Sequence, residues 1–361
     1  DPLRPDPAAD RRHLDARRGR TVERRAVEGV DIAREAGVSP KTVSRVLNDE
    51  PHVKQSVRDK VKEVAAALNY HPNFAARGLI TRKNYLVGLT YERPGPSYVV
   101  ELQRGALERL EGEPYRLIVL PFHDATERAE GLGNLLQSAS LDGVVLAPPS
   151  CDLPELLDTL DRAGILYARI APHRAKERGI VADMDDIGAA RDVARHVLEL
   201  GHRKIGIILG DRTHHASEAR LEGYRLALEE VGLTLDRVAI EQGDFTYPSG
   251  EAAAQRLLAH GNRPTAILAQ NDDMAAATLM VARDLGIAVP QELSIAGFDD
   301  SEVSRLAWPR LTTVRQPVFE MSQDAADKLL RRLEGGEVGP ATVHEHTLLV
   351  RQSTAPPPAG G

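Results

Sequence analysis

The sequence predicts an all-α helix-turn-helix head followed by an α/β body of two doubly wound parallel-sheet lobes. Three observations carry this. Residues 31–48 read DIAREAGVSPKTVSRVLN, two short helical patterns joined at a glycine. After Lys83 the pattern changes to alternating strands and amphipathic helices, as parallel sheets covered on both faces require. The charge divides at the same place: residues 11–83 hold 17 Lys and Arg against 9 Asp and Glu, whereas 84–361 hold 28 against 41.

In the head, Ala33 is small where two helices must cross, and Gly37 supplies the left-handed backbone of a sharp turn. Ser39 can cap the second helix and Pro40 suits its first turn. Val38, Val43 and Val46 can face a core, leaving Lys41, Thr42, Ser44 and Arg45 available to a DNA groove. Lys41 and Arg45 stand four apart and so share a helix face. A third helix runs from Ser56 to about Leu68, and Pro72 stops propagation.

In the body the expected strands are Leu86–Thr90, Arg116–Leu120, Gly143–Ala147, Gly164–Ala168, Lys204–Leu209, Ala266–Ala269 and Leu293–Ala296. The expected helices include Tyr98–Leu110, Ala189–Leu200, Ser217–Val231, Gly250–His260 and Met274–Leu285. The strands are too many for one small sheet, so two lobes with a ligand between them at the strand carboxyl ends are expected.

A net charge of −7 argues against nucleic acid until its distribution is seen. A basic head on an acidic body suits phosphate contact by the head alone. Cys151 is the one cysteine, which rules out an intrachain disulfide and fits a reducing cytoplasm. No apolar run is long enough to span a membrane. Residues 1–26 read as a disordered basic extension, with phosphate contact by Arg11–Arg25 as the alternative.

AGVSPKTVSRVLN, LNYHPN, the AARGL hinge, the strand YLVGL, then RPTAILAQNDDMA, SIAGFDD and PRLTTVRQP follow one another in order. This succession resembles the LacI/GalR family of bacterial repressors from about residue 27 to 354. The resemblance implies a helix-turn-helix domain at 27–72, a hinge at 73–83, and a periplasmic-binding-protein-like (type I) effector-binding and dimerisation body at 84–354. The first lobe would hold 84–184 and 316–345, and the second 185–315 and 346–354. Residues 355–361 read as a disordered tail. By the same resemblance the DNA-binding residues are Ser39, Pro40, Lys41, Thr42, Ser44, Arg45, Asn48, His52, Asn73, Ala76 and Leu79, with Leu79 as a minor-groove wedge. One departure stands out: the family has an apolar residue where this chain has Gly29, which is expected to loosen the start of helix one.

The effector-binding residues the resemblance implies are Tyr91, Tyr98, Arg169, Asp183, Arg220, Asn271 and Asp299. Arg220, on a helix start after a strand, suits vicinal hydroxyls or a carboxylate; a surface salt bridge with Glu218 or Glu222 is the alternative. Asp299 at a strand carboxyl end can accept two sugar hydroxyls. Asp272 is expected to cap the helix starting at Met274. His173 follows a strand end without an assigned role, and Trp308 or Tyr98 can offer an aromatic face. An Arg/Asp/Asn/Tyr set points to carbohydrate.

No GxGxxG, GxxxxGK[ST] or GxSxG pattern occurs, so no enzyme is expected. No cofactor and no metal are expected: His214-His215 read as solvated, and His344-Glu345-His346 as structural, its histidines sharing a strand face. The reading is a cytoplasmic homodimeric repressor on a pseudo-palindromic double-stranded operator, controlled by a small carbohydrate inducer and without membrane contact. The alternatives are a soluble sugar-binding protein without gene control, a co-repressor-dependent regulator and a sugar-active enzyme.

Overall fold

The computed structural model describes residues 27–358, apart from 48–49, 71–82, 93–94, 123–130, 132, 137, 260 and 262. Asn48, Asn73, Ala76, Leu79 and nearly all of the expected hinge therefore lie outside the described residues. The chain divides into two compact units, Asp1–Thr81 and Arg82–Gly361.

The first unit contains α1 (Gly29–Ala36), α2 (Pro40–Leu47) and α3 (Gln55–Ala67). α1 nonetheless begins at Gly29. Glu28 and Asp31 form a reciprocal capping box, each side chain accepting from the other's backbone N–H, and this offsets the entropic cost of the glycine. Gly37 ends α1 at φ 68°, and Val38 N–H returns to the Ala33 carbonyl at 3.0 Å. Ser39 Oγ accepts from Thr42 N–H at 3.1 Å, as a cap should. Ile32, Ala33, Ala36, Val43, Val46, Val61 and Ala65 form the buried core.

The second unit begins with β1 (Leu86–Glu92), β2 (Arg116–Phe122), β3 (Gly143–Leu146), β4 (Leu166–Ile170) and β5 (Ile180–Met184). β6 (Ile205–Leu209), β7 (Ala239–Gln242), β8 (Ala266–Ala269) and β9 (Ser294–Ala296) follow, then β10 (Thr313–Arg315), β11 (Thr342–His344) and β12 (Thr347–Leu349). β1 to β5 and β11 form a parallel sheet in the order β11-β5-β4-β3-β1-β2. A second parallel sheet is ordered β7-β6-β8-β9, and β10 pairs antiparallel with β12. These are the two expected lobes.

The chain crosses between them after β5, after β10, and in the turn between β11 and β12. His344 and His346 flank that last turn and do not share a face. His344 Nε2 lies 3.2 Å from Asp324, on the first-lobe helix Val318–Leu333. His346 Nε2 lies 2.9 Å from Asp192, on the second-lobe helix Asp186–Glu199. Each imidazole thus ties one end of the crossing to its own lobe.

Two expectations shift. The strand expected at Gly164–Ala168 begins at Leu166, because Gly164 at φ 67° caps the preceding helix Pro154–Ala163. Ala355 is not part of a free tail: its carbonyl lies 2.8 Å from His202 Nε2 and its N–H donates to Ser294 Oγ at 3.0 Å. A buried histidine beside a backbone carbonyl gives that segment the partner that composition alone could not reveal. Among the described residues no helix is long and apolar enough to cross a membrane.

Candidate binding cavity and nucleic-acid interface

The cap Ser39 and, on α2, Pro40, Lys41 and Arg45 are exposed while Val43 and Val46 are buried, so the helix presents a polar face opposite its core face. Arg45 Nε lies 3.6 Å from Glu50, with both side chains 49% exposed. Such a pair is weak in water and easily exchanged for a base or phosphate. Thr42 and Ser44 are half-buried on the same helix, and His52 is exposed with φ at 73°.

In the body, the carboxyl ends of both sheets open onto a cavity of about 420 Å³. This is within the usual range for small-ligand sites. Tyr98, Arg220, Asn271 and Asp299 all line it.

Arg220, on the helix His215–Glu230, is buried and does not form the surface ion pair allowed by the sequence. Its Nε donates to Asp186 Oδ1 at 3.1 Å and its Nη1 to the Gln270 carbonyl at 2.6 Å. Asp299 Oδ1 lies 4.0 Å from that Nη1, and the guanidinium carbon stands 3.8 Å from the Phe298 ring centre. Asp299 itself sits at φ 119°, held by N–H donation to the Val314 carbonyl and by Gln316 donating to its Oδ1 at 2.6 Å. Burial pushes its carboxyl up to about 7, although Arg220 and the Gln316 hydrogen bond pull the other way.

Asn271, rather than Asp272, caps the helix Asp272–Asp284, because its Oδ1 accepts from Met274 N–H. Its amide also donates to the Phe245 carbonyl at 2.8 Å. Asp272 points away into the lobe, taking hydrogen bonds from Thr313 Oγ1 and Ser301 N–H. Burial and the nearby Asp299 drive its carboxyl well above the ordinary range.

Three expected contacts are elsewhere. Arg169 is wholly buried, with its guanidinium bonded to Asp152 and to the carbonyls of Cys151, Arg174 and Ala175. It braces the loop after β4, its donors taken by Asp152 and by backbone carbonyls. Asp183 pairs with Lys176 at 2.6 Å and is absent from the lining. Tyr91 packs on the first-lobe core. Trp308 is 85% exposed and also lies away from the cavity.

Other lining residues carried little sequence signal. His173 lies 3.8 Å from Asp152 and 3.4 Å from Asp186. Burial opposes its charge, but hydrogen bonds to these two carboxylates raise its pKa to about 9. Asp186 is likewise disfavoured by burial, but Arg220 and His173 outweigh this and hold its carboxyl below the ordinary range. His214 is not solvated: it meets the Phe245 ring edge-on at 5.5 Å, and burial lowers its pKa to about 4. Glu92, Asp211, Asp244 and Phe245 complete the polar and aromatic wall. Among the described residues no group of His, Cys, Asp and Glu is arranged to hold a metal.

Comparison with known proteins agrees with this geometry. Residues 30–73 match the model for bacterial regulatory proteins of the lacI family, and 194–354 that for a periplasmic binding protein-like domain. The HTH-type transcriptional regulator CelR of Thermobifida fusca is 34% identical over 89% of this chain and 96% of its own. The lac repressor dimer bound to operator and the anti-inducer ONPF superposes with a TM-score of 0.81 at 25% identity, covering 92% of this chain and 100% of that one. A CelR–cellobiose complex superposes at 0.66 with 31% identity, over 91% and 99%.

Proposed function

Because the chain belongs to the lacI family of bacterial regulatory proteins, we propose that it is a cytoplasmic dimeric repressor that a sugar releases from a near-palindromic operator. It is a DNA-binding transcriptional regulator and not an enzyme. The observation that carries the sugar reading is the convergence of Arg220, Asp299, Asn271 and Tyr98 on one cavity at the strand carboxyl ends. Guanidinium, carboxylate and amide together donate and accept at once, which is what a ring of vicinal hydroxyls demands. The CelR–cellobiose complex supports this reading, and the lac repressor dimer on its operator supports the dimer.

On α2, Lys41 and Arg45 are the base- and phosphate-reading cations, with Ser39, Pro40, Thr42, Ser44 and His52 as their neighbours at the groove. A ligand moves the DNA-binding equilibrium only by its differential affinity for two arrangements of the dimer. A full switch needs about 5.5 kcal/mol of that preference. The lobes that share the cavity are the element able to supply it.

The test is to select operator sequences from random DNA with the purified protein, then add sugars one by one. Release by one sugar is the expected result. Tightened binding would assign the co-repressor role instead, and sequence-independent binding would remove the repressor reading.

A further inference from the structure

The cavity's charge is lopsided. Asp186, Asp211, Asp244 and Asp299 line it, and among the described residues its cationic members are Arg220 and His173. Neither of these has its charge available. Arg220 is flanked by Asp186 and Asp299 and lies over the Phe298 ring. His173 is flanked by Asp152 and Asp186. His214 is a neutral imidazole at neutral pH.

Helix N-termini, the other usual seat for an anion, are already supplied with acids. Asp185 caps the helix Asp186–Glu199 by accepting from Gly188 N–H. The helix Asp272–Asp284 is capped by Asn271 and carries Asp272 and Asp273 in its first turn. The Asp273 carboxylate also reaches the N-cap of the helix Pro96–Leu110: its Oδ2 lies 3.1 Å from where a Cβ on Gly95 would stand. Ahead of the helix His215–Glu230, Asp211 Oδ1 takes the Thr213 N–H at 2.7 Å.

From this arrangement, and resting on the carbohydrate reading above, we infer that the cavity selects an uncharged sugar and rejects sugars bearing a phosphate or carboxylate. A hydroxyl needs only a spare N–H or lone pair from Arg220, Asn271 or Asp299. An anionic group needs net positive charge and meets an excess of carboxylates instead. Like charges about 6 Å apart at an intermediate dielectric weaken binding on the order of 100-fold.

The experiment is calorimetry on the full chain with matched sugars: glucose, galactose, ribose and cellobiose, then glucose 6-phosphate and ribose 5-phosphate, and finally glucuronate beside glucuronamide. At least one uncharged sugar binds, with its anionic counterpart about 100-fold weaker or more. Glucuronamide, matched in shape but uncharged, exceeds glucuronate.

The double variant Asp211→Asn, Asp244→Asn narrows the gap, since Asn keeps the oxygen each residue presents to its own turn. An anionic sugar bound as tightly as its uncharged partner overturns the charge rule and leaves the carbohydrate reading intact. A gap unchanged in the double variant also overturns it, because the rejection would then be steric. Silence across all the sugars removes the carbohydrate reading, and the inference with it.

Discussion

His173 and Asp186 stand 3.4 Å apart on opposite sides of the first lobe crossing. His173 follows β4 in the first sheet, and Asp186 opens the first helix of the second lobe. Asp186 also takes the Nε–H of Arg220, and His173 also faces Asp152, itself tied to Arg169. A chain of alternating charge therefore runs from one lobe to the other along the cavity wall. The cavity lining and the lobe crossing meet in His173, Asp186 and Arg220.

That chain makes body stability depend on pH through His173. Its folded pKa, about 9, lies above the unfolded value near 6.5. The network's contribution is therefore fully present below about 6.5 and lost as pH rises through 9. The carboxylates facing it, Asp152 and Asp186, are held below the ordinary range and so stay ionised across this window. Urea unfolding of His173→Gln should show a deficit on the order of 2–3 kcal/mol at pH 6 that shrinks by pH 10. A deficit that stays constant across that range would show that the imidazole acts only by packing.

Asp299 carries the opposite sign. Its folded pKa of about 7 exceeds the unfolded value of about 3.9. Ionising it therefore destabilises the ligand-free fold progressively from pH 4 to 7 and by a constant amount above. Asp299→Asn keeps the hydrogen-bonding oxygen toward Gln316 and should raise stability at pH 8 by about 1–3 kcal/mol. The same variant should lose sugar affinity, so a thermal scan with and without sugar separates the two effects. A variant no more stable at pH 8 than at pH 4, relative to the parent, would place the charge penalty elsewhere.

Arg220→Lys tests the fork. Lysine keeps the charge beside Asp186, avoiding the 3–5 kcal/mol loss typical when one partner of a buried pair is deleted. It cannot hold Asp186, the Gln270 carbonyl and a sugar hydroxyl in one plane. Operator affinity without sugar should be near normal, and sugar affinity should fall by about 1.5–3 kcal/mol. Undiminished sugar affinity by calorimetry would move the site away from Arg220.

Much of the fold was legible because hydrophobic periodicity and turn residues are local signals. The head helices and seven of the body strands needed nothing beyond them. Five strands were not legible: β5, whose run Ile-Val-Ala-Asp-Met is cut by a carboxylate, β7, an exposed edge strand reading Ala-Ile-Glu-Gln, and the three-residue β10 to β12, all too short or too polar to show any period. In the cavity, Arg220, Asp299, Asn271 and Tyr98 were legible because each is a polar residue near a strand end or helix start. Arg169 and Asp183 fit that description equally well, yet neither lines the cavity: Arg169 is taken up by the loops after β3 and β4, and Asp183 by Lys176. Asp186, His214 and Phe245 were missed for the converse reason. Their role depends on which lobe wall they reach after folding, and nothing in the local sequence records that.

The head offers the cleanest separation of stability from recognition. Arg45 is half-exposed, and its link to Glu50 at 3.6 Å contributes at most about 1 kcal/mol. Arg45→Ala should therefore leave the unfolding midpoint of the head almost unchanged. Arginine forks onto a guanine edge, so the same variant should lose about 1–3 kcal/mol of operator affinity and relax the preference at one base position. Ser39→Ala is the contrasting case. It removes the oxygen that accepts from Thr42 N–H, and so should cost about 1 kcal/mol of head stability. Its effect on operator selection should be the uniform weakening of a less populated fold. Selection from an operator library with both variants decides the matter: unchanged base preference in Arg45→Ala, or a position-specific change in Ser39→Ala, would reverse the two roles assigned to α2.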